Sequence, residues 1–162
     1  MQGFSVSYGL LAGLAIALLV AAFTDMQRRQ IDNWLNASVA LAAPLFWWAS
    51  HMGLADIGWQ VALAAGSFVV LAGLFAMGAM GGGDVKLLAA LALWIKPLWF
   101  MQLLTVMAMA GGVLTIGMAA WHVARRQREK LAVPYGIAIA FGGLWVLSAN
   151  YLALAQAAHH AG

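Results

Sequence analysis

Cysteine is missing from all 162 residues, which excludes disulfides, thiolate zinc sites and cysteine nucleophiles. Charge is also scarce. Asp, Glu, Lys and Arg make up 8% of the chain, against roughly 25% in soluble domains. No dinucleotide or P-loop fingerprint, no repeat of fixed period and no low-complexity linker is found. Residues 1–8 hold no Lys or Arg, and the apolar run that follows ends in Asp25 and Arg28-Arg29 rather than in a small-residue cleavage site. That run therefore reads as a retained helix and not a cleaved signal. What the chain has in quantity is apolar surface: 65% of its residues are hydrophobic, and the mean hydropathy is +0.90. This is the composition of a membrane protein, with room for about six crossings of roughly 20 residues each and no separate soluble domain.

The apolar runs predict helices over 4–24, 34–51, 57–80, 85–95, 98–123 and 134–156, an all-α bundle in which residues 1–162 form one membrane-embedded domain. Basic residues sort by break. Arg28 and Arg29 follow the first helix, Lys86 follows the third, and Arg125, Arg126, Arg128 and Lys130 follow the fifth, leaving only Lys96 elsewhere. If each helix crosses once, seven of the eight share one side. The positive-inside rule makes that side cytoplasmic and puts both termini opposite. The run from Arg125 to Lys130 is expected to meet anionic lipid headgroups, so the net charge of +3 calls for no nucleic-acid partner. The segment 85–95 rises only about 16 Å, too little to cross alone. Either the helix continues through Pro97 with a kink, or Lys96 marks the outer surface and Asp84 lies partway into the membrane, reached by a wet cleft of the kind that tolerates irregular backbone such as Gly81-Gly82-Gly83. Gly66 and Gly73, Gly111-Gly112 and Gly142-Gly143 read as small residues that let helices pack closely.

Five acidic residues are available for chemistry. Asp56 lies in a short outer loop where solvent accounts for it. Glu129 pairs with its basic neighbours, and Asp32 sits where it can cap the second helix. Asp84 opens a strongly apolar helix, where an ionisable group costs about 2.5 to 3.5 kcal/mol; capping that helix is the competing account. Asp25 ends the first helix, where a carboxylate meets the negative end of the dipole, so capping does not explain it and interfacial solvation is the alternative. A topology drawn from Lys and Arg alone brings these two aspartates, 59 positions apart, to one membrane face. Adjacent carboxylates cannot both ionise and share a proton, so one serves as base and the other as acid. The base takes a proton from a water attacking a peptide carbonyl; the acid polarises the carbonyl oxygen and then supports departure of the amine. No metal is required. Ser and Thr are scattered in apolar helices, and His51, His122, His159 and His160 form no i, i+4 pair with a carboxylate. His159-His160 reads as a polar chain end.

Gly81-Gly82-Gly83-Asp84-Val85-Lys86-Leu87-Leu88 resembles the G-x-G-D-x-K-L signature of type IV prepilin peptidases. Asp25, followed by Arg29, Ile31 and Asn33, resembles that family's first-aspartate loop, an Asp and then Arg-x-Ile-Pro-Asn, with Asp32 in place of the usual proline. Val133-Pro134-Tyr135-Gly136-Ile137-Ala138 resembles the Pro-Tyr/Phe-Gly motif that opens the last helix. The motifs occur in order, at helix boundaries, across nearly the whole chain.

The resemblance implies six helices in the bacterial inner membrane, with Asp25 and Asp84 as the catalytic pair in a cytoplasmic cleft. It implies supporting roles for Gly81, Gly83, Lys86, Arg29, Asn33, Pro134, Tyr135 and Gly136. The implied substrate is a prepilin with a short basic leader and a first hydrophobic helix, cut usually after a Gly. The missing Cys-rich domain of longer members implies the short form associated with Flp or Tad-type pili. No cofactor is expected, nor the S-adenosylmethionine-dependent methylation of those longer members. Lys86 is expected to position substrate, to favour ionised Asp84 or to snorkel to headgroups. Asp32 adds a third carboxylate near the pair. Presenilin-type proteases share G-x-G-D but carry Tyr-Asp in the preceding core helix, where Thr24 precedes Asp25 here; archaeal preflagellin peptidases are nearer relatives. A transporter or assembly subunit binding protons or cations at the same pair is the alternative from another class.

Overall fold

A helix that is apolar on every face has to be covered by protein or by lipid, and the helices of this chain divide between those two fates. The computed structural model describes residues 2–124 and 134–152. Among them the elements are α1 (Gln2–Arg28), α2 (Asn33–Ala49), α3 (Leu54–Ala76), α4 (Gly82–Ala92), α5 (Pro97–Ala124) and α6 (Tyr135–Val146), which runs on into a π-helical stretch, Leu147–Leu152. These agree with the apolar runs to within a few residues. The basic segment from Arg125 to Lys130, with Glu129, and the pair His159-His160 lie outside the described residues.

Three stretches are long and apolar enough to cross a membrane: Val6–Arg28, Leu54–Ala76 and Pro97–Trp121. They turn large apolar side chains outward, among them Val69 at 70% and Ile116 at 72% exposure, an arrangement that suits lipid and not water. The chain is a multi-pass membrane protein. The shortest helix is the opposite case. Leu87, Leu88, Leu91 and Ala92 of α4, with Ile95 beyond it, have no exposed surface. This helix lies among α2, α3 and α6, while α1 packs on α2 and α6 and α5 packs on α6.

Close approach fixes α6 between its neighbours. A Cβ added at Gly142 would lie 2.9 Å from the Leu103 carbonyl oxygen of α5, and one at Gly143 would lie 2.7 Å from Leu18 Cδ1 of α1. The packing role expected of this pair holds. For Gly66 and Gly73 it does not: a Cβ at either would meet nothing within 4 Å, because α3 turns that face away from the bundle.

A short helix that ends inside a bundle leaves carbonyl oxygens with no partner in the next turn, and in apolar surroundings each such group is costly. Beyond α4 they are met by side chains. Trp47 Nε1 donates to the Leu93 oxygen at 2.8 Å and to Gln60 Oε1 at 3.0 Å. The Tyr151 hydroxyl donates to the Trp94 oxygen at 2.7 Å, and Trp94 Nε1 donates to the Val39 oxygen at 2.9 Å. Phe46 stacks on Trp94 with ring centroids 5.0 Å apart. These contacts fix the position of α4 along its axis, and so the depth of its first turn.

Candidate active site

Leu14, Leu18 and Ala21 form the buried stripe of α1, and Asp25 is the next position on that stripe, only 5% exposed. Asp25 sits in the last turn of α1, at the end of the first helix as expected, and the helix ends when Arg29 adopts φ 53. That left-handed residue turns the chain so that Ile31 reaches the glycines in the first turn of α4. A Cβ at Gly83 would lie 3.1 Å from Ile31 Cβ and 3.2 Å from its carbonyl oxygen. Arg29 itself is exposed, with its charge close enough to act on Asp25.

The carboxylate of Asp25 is held by the start of another helix. The Gly136 N–H, in the first turn of α6, donates to Asp25 Oδ2 at 2.7 Å, and the positive end of the α6 dipole faces the same carboxyl group. A Cβ at position 136 would lie 2.8 Å from both Asp25 Cβ and Asp25 Oδ2, so glycine there is a steric requirement. Pro134 occupies the cap position of α6 with φ −75, and the Tyr135 ring lies over Gly111 of α5, where a Cβ would come within 3.2 Å of Cε1.

Asp84 is 8% exposed. It does not cap α4, since Gly81 holds that position, and it reaches back from the first turn toward the Gly81 backbone, the geometry of a capping-box carboxylate. A Cβ at Gly81 would come within 2.9 Å of Asp84 Oδ2. Asp84 lies outside the three long spans, and its carboxyl is pushed up to about 6, by burial first and by the charge of Asp25 second, against the hydrogen bond from Gly81. The structure thus brings the two aspartates into mutual electrostatic reach.

The supporting residues gather at the same end. Lys86 Nζ donates to Asn33 Oδ1 at 2.8 Å, tying α4 to the start of α2. Asp32 stands in the cap position of α2 but makes no side-chain cap bond; its Oδ2 accepts from Trp34 Nε1 at 3.3 Å. The acid that acts on Asp84 is Asp25. Asn36 was not anticipated, although an amide three residues after Asn33 in an apolar helix was a visible signal. It is buried, and its Nδ2 donates to the Gly83 oxygen at 3.2 Å. Asp56 is elsewhere, beside His51 and Lys96 around a cavity of about 670 Å³ beyond the other end of α4. That cavity is roomy, but among the described residues it holds no pair of acids.

Two buried carboxyls within electrostatic reach, each accepting a hydrogen bond from a backbone N–H, are equipped to remove and supply protons at a single substrate. The sequence profile of the type IV leader peptidase family matches residues 12–116, a stretch that contains both aspartates and stops short of Pro134-Tyr135-Gly136. No curated protein and no solved structure matches the chain.

Proposed function

We propose a function from the fact that this chain belongs to the type IV leader peptidase family: it is an aspartic endopeptidase that removes the short basic leader of a Flp-like type IV prepilin at the cytoplasmic face of the bacterial inner membrane. The observation that carries this reading is the meeting of buried Asp25 and Asp84 across 59 positions of sequence, with the charge of one acting on the other. Asp25, whose Oδ2 accepts the Gly136 N–H, is the base that draws a proton from the attacking water. Asp84, whose proton is retained to about pH 6, is the acid that protonates the carbonyl oxygen. Collapse of the tetrahedral intermediate returns the oxygen's proton to Asp84 and breaks the C–N bond, while the proton taken by Asp25 passes to the leaving amine.

The cytoplasmic placement of the pair is supported by Arg28, Arg29 and Lys86 at the same end. Six crossings follow if α2, α4 and α6 pass through the bilayer surrounded by the three long spans. Co-expression with a candidate prepilin tests the assignment on a gel. Asp25→Asn and Asp84→Asn should each leave the precursor uncut, a loss of about 10³-fold or more. A transport role at the same pair predicts normal processing by both.

A further inference from the structure

A groove of about 420 Å³ runs between α2, α3 and α4, lined among others by Ala37, Ala40, Ala64 and Ala89, with Asn36 and Lys86 at its polar end. The alanines leave room for a close backbone approach, as small residues do between membrane helices. The polar end adjoins the site, because Asn36 donates to the Gly83 oxygen and Lys86 is two residues from Asp84.

Asn36 supplies the second observation. It is 5% exposed, and its Oδ1 has no hydrogen-bond partner among the described residues. A buried acceptor without a donor is a cost that native structures seldom leave unmet. An acyl chain brings no donor to it. A polypeptide does, through the free N–H groups of an extended stretch or of the first turn of a helix.

We propose that the α2–α3–α4 groove is the substrate channel of this peptidase: it receives the apolar polypeptide segment next to the scissile bond, and Asn36 Oδ1 accepts one of its backbone N–H groups beside Gly83. This rests on the peptidase function proposed above. The groove between α5 and α6, about 540 Å³ and lined by Val106, Val113, Ile137, Phe141 and Trp145, has no polar end among the described residues and is the natural control.

The cysteine-free chain makes the test direct. Ala40→Cys, Ala89→Cys and Val113→Cys are each placed in the Asp84→Asn background and co-expressed with a Flp-type prepilin carrying one Cys in its apolar segment. Membranes are treated with a short bis-maleimide, and variants are compared at equal membrane level after elution as single species in detergent. The adduct should form at least tenfold more at positions 40 and 89 than at 113. An equal or greater yield at 113, or none at both groove positions, overturns the channel. Failure of the peptidase function is distinguishable, since the unaltered chain would then leave the same prepilin uncut whatever the cross-linking pattern.

Discussion

The two ends of α4 are finished by opposite means. Beyond its last turn, Trp47 and Tyr151 donate to the Leu93 and Trp94 oxygens, and Phe46 stacks on Trp94, so that hydrogen-bonding groups are paired and the helix end is clamped by aromatic rings. At its first turn, side chains are removed at Gly81, Gly82 and Gly83, the charge of Asp25 acts on Asp84, and Asn36 Oδ1 has no donor among the described residues. One end fixes where the helix sits. The other holds groups that need a proton or a partner, as a site that acts on something outside the protein must. Damage at the aromatic end should therefore appear as lost stability, and damage at the glycine end as lost chemistry.

The largest break in that contrast is Gly136→Ala. The methyl would displace Asp25, and a shift of about 1 Å in a catalytic group costs roughly 10²-fold in rate, so precursor cleavage should fall by that order while the aromatic end stays intact; initial rates in detergent give the value. Acidity comes next. Cleavage that needs protonated Asp84 should fall as pH rises above about 6, approaching tenfold per unit, because the raised affinity keeps the neutral form below that pH and loses it above. A rate that rises over the same interval would reverse the roles of the two acids. At the other end, Trp94→Phe removes the bond to the Val39 oxygen and should lower stability by about 1 to 3 kcal/mol, and Tyr151→Phe by about 1 kcal/mol. Both are read from thermal unfolding in detergent, with cleavage per folded molecule retained. The smallest effect is Asp32→Pro. Asp32 already has φ −64, the angle proline imposes, so the substitution should stabilise by about 0.4 to 1 kcal/mol and leave cleavage unchanged.

Much of this is legible in the sequence. Apolar runs broken by charge marked the helices because lipid-facing and buried segments are both apolar throughout, and the shortness of 85–95 already signalled that α4 does not cross alone. The basic residues brought Asp25 and Asp84 to one face. The hold on Asp25 was not legible: Gly136 is 111 positions away, and its backbone N–H has no signature in side-chain chemistry. The aromatic end was hidden for a related reason, since Trp47, Trp94 and Tyr151 in apolar stretches look like lipid-facing belt residues until their donors are seen to meet carbonyls. Gly66 and Gly73 show the reverse error, a spacing that suggests packing on a face that meets nothing among the described residues.

The claim that Asp25 acts chemically, and does not merely cap α6, is tested by Asp25→Asn with both readouts taken together. Asparagine keeps an oxygen for the Gly136 N–H and serves about as well as aspartate in such a position, but it cannot take a proton from water. Thermal unfolding close to that of the unaltered protein, with precursor left uncut, is the result expected. A variant that processes the precursor normally would contradict the account.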